Sequence, residues 1–219
     1  MNISQVENNL FQQWQGRRKG FVHDGVVSEA DYLASKLKIV VVLKEVNDPG
    51  GGGWDLRKFL AKGGRAQTWN TRWIYGIRNL DSLPEWDFYS KITNEFRMQM
   101  LKNICAFNLK KSPGTHTTEY SSLNVVANED KDYIQEQYAI YDPDLTICGG
   151  TGDLFKSVVG HAAKEWRTTK RGIWWYEREP FKYVVAFAHP EARVQKSLLV
   201  YGLLDAIDEI YNMANRIES

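Results

Sequence analysis

The sequence predicts an α/β fold: a three-layer α/β/α domain built on a central, mostly parallel four-stranded sheet. Three observations carry this expectation. Short apolar runs at 39–43 (IVVVL), 104–109 (ICAFNL), 145–148 (LTIC) and 183–188 (YVVAFA) are continuous rather than alternating, as strands buried on both faces are. Segments of helical period separate them, which is what crossovers between parallel strands require. Each run also ends in polar or glycine-rich residues, and in open sheets of this kind ligands bind outside the carboxyl ends of the strands.

At 219 residues the chain suits one domain, 1–219, with a well-formed core. Its formal charge is only +1, so a nucleic-acid partner would have to be held by a local basic patch rather than a global field. Aromatic residues are abundant, with eight Trp, eleven Tyr and nine Phe, which favours stacking or a ring-rich core. No apolar run approaches a membrane span, and MNISQVENNL has no secretory character. Cys105 and Cys148 sit in apolar strand contexts and read as buried free thiols. The expectation is a cytoplasmic monomer without a metal or other cofactor.

In chain order, Phe11 and Trp14 belong to an amphipathic lead-in, and Arg17, Arg18 and Lys19 form a basic cluster that reads as a solvated surface or as a phosphate contact. Ser28 followed by Asp31 has the form of a helix cap, predicting a helix over 29–36. The first strand exits through Lys44, Glu45, Asn47 and Asp48 into PGGGG at 49–53. Periodicity then fails from 50 to 83 apart from a short helix near 54–60, leaving an aromatic- and arginine-rich insert. There Arg65, Arg72 and Arg78 alternate with Trp69, Trp73 and Tyr75, a mixture suited to stacking bases and holding phosphates, and equally to a loop that builds its own aromatic core.

Phe88, Ile92, Phe96 and Met100 predict one helix over 85–102. The second strand carries Asn108 near its end and leaves through Lys110 and Lys111. Residues 115–127, polar and containing His116, read as a surface loop, and 128–140 as a helix. The third strand ends in GGTG at 149–152, whose glycines let the chain turn tightly into a helix over 153–166. Residues 167–180 read as a hairpin or loop pair packed on the sheet, and 197–217 is the clearest helix in the chain. After the fourth strand comes His189-Pro190-Glu191-Ala192-Arg193.

Brought to one sheet edge, these exits combine a carboxylate, an amide, an imidazole and a glycine turn. Such a set suits attack by water on an electron-poor sugar carbon. Glu45 or Asp48 would orient the water or face an oxocarbenium-like centre, and His189 would donate to the departing group. Asn108 would read a heterocycle edge through its paired donor and acceptor, with rings of the insert stacked on the base. His23, His116 and His161 have no zinc-like spacing.

LKEVND, ICAFNLKKSPG, YDPDLTICGGTGDLF and VVAFAHPEAR, in this order over roughly residues 37–210, resemble the motifs of the uracil-DNA glycosylase superfamily. The resemblance implies a glycosylase-like α/β fold and a metal-independent DNA N-glycosylase, used in DNA repair or defence. Glu45 is the first choice for handling the water, with Asn47 and Asp48 as alternatives; Asn108 would bind the flipped base and His189 assist the leaving base. The motif around Glu45 lacks the family's usual glycine and does not match its best-known aspartate form, which points away from plain uracil excision. The insert at 50–83 replaces a shorter base-stacking loop and would accommodate or select a bulkier modified base, and two cysteines exclude the four-cysteine iron–sulphur cluster of some branches. The expected base-binding set is Asn47, Asn108, Trp69, Trp73 and Phe107, and the expected DNA-backbone set is Lys110, Lys111, Arg193, Arg65 and Arg72. Two alternatives stand beside this reading: an inactive nucleic-acid binding module of the same fold, and a nucleoside or nucleotide hydrolase.

Overall fold

Seven strands form one mixed sheet in a computed structural model that describes residues 2–63, 68–115 and 117–217, with backbone alone at 68–69 and 214–217. In chain order they are β1 (Gly25–Val26), β2 (Ile39–Leu43), β3 (Ile104–Asn108), β4 (Leu145–Gly149), β5 (Arg167–Thr168), β6 (Trp174–Glu179) and β7 (Lys182–Phe187). Their order across the sheet is β1-β3-β2-β4-β7-β6-β5. The four predicted strands lie side by side in parallel, as β3, β2, β4 and β7. A sheet of only four strands is thereby corrected: β1 adds antiparallel to β3, and β6 and β5 extend the far edge antiparallel from β7. The added strands escape the apolar-run criterion because β1 and β5 span two residues each and β6 reads WWYERE.

The helices are α1 (Ile3–Trp14), α2 (Glu29–Leu33), α3 (Leu56–Ala61), α4 (Thr68–Ile77), α5 (Trp86–Ser90), α6 (Asn94–Lys102), α7 (Tyr120–Glu129), α8 (Lys131–Tyr141), α9 (Gly152–Val158) and α10 (Lys196–Ile217). Alternation along the strands divides the core in two. Val40, Val42, Cys105, Phe107 and Val184 meet α1, α7, α8 and α9 on one face, while Ile39, Val41, Ala106, Ile147 and Val185 meet α3, α4 and α10 on the other. Each Val, Ile or Phe side chain so taken from water contributes about 1.5–3 kcal/mol, which favours a place for β2 inside the sheet, between β3 and β4, with Ile39 to Val42 fully buried. Cys105 and Cys148 are buried free thiols, and burial raises both above the ordinary thiol pKa. Among the described residues no helix is long and apolar enough to cross a membrane.

Several element boundaries differ from the expectation. The insert is helical at α4, because Trp73, Ile74 and Ile77 pack on the sheet and α10. The predicted helix over 85–102 is two, since the Thr93 hydroxyl accepts from the Phe96 N–H and starts α6 afresh. Residues 120–129 are helical rather than loop, with Leu123 and Ala127 one turn apart against the core. Helix α9 stops well before residue 166, where Gly160 takes φ +79° just past its end.

Candidate active site

Beyond their last paired residues β2 and β3 stay zipped together. Leu109 N–H donates to Leu43 O and Lys110 N–H to Lys44 O, both at 3.0 Å, and Gly114 N–H to Val46 O at 2.8 Å. This carries both exits past the edge of the sheet as one ledge. Glu45, Asn47 and Asn108 on that ledge line a cleft of about 310 Å³ together with His189 from the β7 exit. Its apolar wall comes from the segment after the glycine loop: Trp54 and Phe59, with ring centres 5.0 Å apart, and Leu56. That segment is pinned by His23 N–H donating to Trp54 O at 2.9 Å and Leu56 N–H to His23 O at 2.7 Å.

Glu45, Asn108 and His189 are each held by a neighbour, while Asn47 is exposed at the rim. The Glu45 carboxylate, 4% exposed, is ion-paired with Lys110, and a Cβ at Gly114 would overlap that carboxylate. Lys110, expected on the DNA backbone, is thus engaged with Glu45. Asn108 is buried, and both its backbone N–H and its Nδ2 donate to Asp24 Oδ2, at 2.7 and 3.3 Å. The amide N–H₂ is turned toward Asp24, and the Asn108 Oδ1 accepts no hydrogen bond from the described residues. His189 Nδ1 accepts from the Glu191 N–H at 3.1 Å, so the neutral ring carries its proton on Nε2. Burial first, then the charges of Lys44 and Lys196, push the His189 pKa down to about 4, and the ring is neutral at pH 7. The third exit packs against this group: a Cβ on Gly150, at φ +69°, would stand 3.4 Å from both His189 Cβ and Lys44 Cε.

Other predicted residues lie elsewhere. Asp48 does not line the cleft, and its Oδ2 accepts the Gly52 N–H at 3.0 Å, holding the glycine loop. Phe107 is fully buried on the face of the sheet that carries α8 and α9, because adjacent strand residues point to opposite faces. Lys111 is no phosphate ligand: it is fully buried, paired with Asp24 at 2.6 Å, with its ammonium over the Trp14 and Phe107 rings. Trp73 is fully buried, and its Nε1 donates to Leu199 O at 2.9 Å. Arg72 Nε donates to Tyr89 O at 3.2 Å and its guanidinium lies over Trp86 at 4.9 Å, so it braces α5 instead of facing a ligand. Arg193 is exposed on the loop after β7. Arg65 and the Trp69 side chain lie outside the described residues, as does His116.

Sequence reasoning missed Asp24, Trp54, Phe59 and the role of Lys110. For Asp24 the signal is an acid inside the apolar run FVHDGVV, which requires a buried partner. Among the described residues no three His, Cys, Asp or Glu side chains converge to hold a metal ion. A cleft with a carboxylate, a free amide oxygen and a neutral N–H donor around an apolar wall can bind a flat heterocycle and direct water at an adjoining carbon. No protein-family model matches the chain, and no curated protein matches it.

Proposed function

We propose that the protein is a metal-independent DNA N-glycosylase, a distant member of the uracil-DNA glycosylase superfamily with its three-layer α/β/α fold, acting on a uracil-like or modified base. One observation carries this reading: Glu45, Asn108 and His189, from three strand ends far apart in sequence, line a single cleft beside the Trp54 and Phe59 rings. The base enters against the rings, and Asn108 Oδ1 accepts from a ring N–H. Water adds to C1′ of the sugar and gives up a proton to the Glu45 carboxylate, whose charge also faces the oxocarbenium-like centre. The bond between C1′ and the base nitrogen breaks, its electron pair leaves with the base, and His189 Nε2–H donates to the atom on which that charge collects. Beyond His189 the same loop exposes Arg193 and Val194, and the first turn of α10 exposes Leu198, a cation and two apolar side chains suited to a phosphate and a base step.

A second reading, a nucleoside or nucleotide hydrolase using the same chemistry, is favoured by the internal engagement of Lys111 and Arg72, which removes two cations from any strand-binding surface. The test is incubation with single strands and duplexes bearing uracil, mismatched or hypermodified bases, with detection of abasic sites, beside release of base from free nucleosides. Abasic sites in oligonucleotides, lowered about 10²–10⁴-fold by Glu45→Gln and by His189→Ala, are expected. Cleavage by both variants at the rate of the unaltered protein would end the mechanism. Faster release from nucleosides would select the second reading, and binding to DNA without cleavage of any base would mark an inactive module.

A further inference from the structure

A second cleft, of about 520 Å³, opens at the same end of the sheet beside the glycine turn, lined by Gly150, Gly152, Asp153, Tyr120, Trp166 and Trp174. Glu45, Asn108 and His189 do not line it. Two of its rings are left in water, Trp174 at 52% and Tyr120 at 50% exposure, although apolar surface of that size gains free energy when covered. Trp166 is fixed in orientation. Its Nε1 donates to Asp153 Oδ1 at 3.2 Å, its ring stands edge-on to Tyr176 at 4.9 Å, and the Lys156 ammonium lies over it at 5.8 Å. Close to this held ring is the exposed carboxylate of Asp153, which only accepts hydrogen bonds and repels phosphate.

Rings that offer their faces take a flat π-system, and a lone carboxylate at the edge selects one with N–H donors. Among the nucleobases guanine presents two neighbouring donors, N1–H and N2–H₂, which a carboxylate can accept side by side. We propose that this cleft binds guanine, with Trp174 and Trp166 against the base and Asp153 on its donor edge. The proposal does not rest on the glycosylase reading. Guanine can arrive as a free nucleotide or within a strand, and the two sources are separable by experiment.

Isothermal titration calorimetry of the full chain is run with dGMP, dAMP and dCMP in one arm. The other arm uses an oligothymidine nonamer with and without one central guanine. Saturable binding that prefers guanine is expected, in the nucleotide arm for a free ligand and in the oligonucleotide arm for a strand. Trp174→Ala, a change on a half-exposed ring, is expected to weaken it about tenfold. Asp153→Asn, which keeps an acceptor for Trp166, is expected to abolish the preference for guanine over adenine. The proposal is overturned by absence of binding in both arms, by equal affinity for guanine and other bases, or by unchanged affinity in Trp174→Ala. Base excision is not the readout, so this site and the Glu45 cleft stand or fall separately.

Discussion

Asp24 Oδ2 receives both the backbone N–H and the side-chain Nδ2 of Asn108, at 2.7 and 3.3 Å, while the same carboxylate holds the fully buried Lys111 ammonium at 2.6 and 2.8 Å. A buried ion pair therefore decides which end of the Asn108 amide is left for a ligand. Gln137 Nε2 adds a further donor to Asp24 at 2.9 Å, so the carboxylate is satisfied from three side chains and one backbone amide. Asp24→Asn leaves Lys111 without its counter-charge, and urea denaturation is expected to show a loss of about 3–5 kcal/mol. Asp24→Asn combined with Lys111→Met is expected to recover part of that loss, since no uncompensated charge then remains buried. A double variant no more stable than the single one would show that the pair is not the source.

Gly114 makes the space that the Glu45 carboxyl occupies. Gly114→Ala is expected to displace that carboxyl and lower excision about 10²-fold, with the far-ultraviolet circular dichroism unchanged. Full activity in this variant would separate Glu45 from the chemistry without any change to Glu45 itself.

The basic and aromatic residues of the insert and of the loop after β7 have opposite expected behaviours. Trp73→Ala removes a fully buried ring that hydrogen-bonds α10, at a cost of about 3–5 kcal/mol in thermal or urea unfolding. Arg72→Ala is expected to leave the salt dependence of DNA affinity as it is, because the guanidinium is held by Tyr89 O and Trp86. Exposed Arg193 is expected to differ: Arg193→Ala lowers the slope of log affinity against log salt by about one.

His189 and His161 are both pushed from the ordinary 6.5 down to about 4, His189 by burial and the charges of Lys44 and Lys196, His161 by burial and the charge of Arg178. Between these values the unfolded chain binds protons that the folded chain does not. The stability they contribute is complete above about pH 6.5 and is lost as pH falls toward 4. Urea midpoints at pH 7, 5.5 and 4.5 are expected to fall in that order, and His161→Gln to flatten the fall. Excision that needs neutral His189 is expected to be level from about pH 8 to 5 and to drop near 4. A drop centred near 6.5 would mean that the ring titrates as in water.

The sequence by itself determined the four parallel strands and the ends to examine. A continuous apolar run such as IVVVL is stable only when both faces are covered, and the polar residues that end such runs must lie at an edge. From these ends Glu45, Asn108 and His189 were legible as one set. Side-chain direction was not. Phe107 and Asn108 are neighbours in sequence, yet one is core and the other lines the cleft, because a strand turns successive residues to opposite faces. Asp48, a candidate with Glu45 and Asn47, serves the glycine loop. Only the tertiary structure decided that Lys111 turns inward to Asp24 while Lys110 meets Glu45, that TWNTRWIYGI is a helix against α10, and that Trp54 and Phe59 return to wall the cleft. The reason is physical: composition and period report how much surface must be buried, whereas the partner of a buried charge is set by contacts between residues distant in the chain.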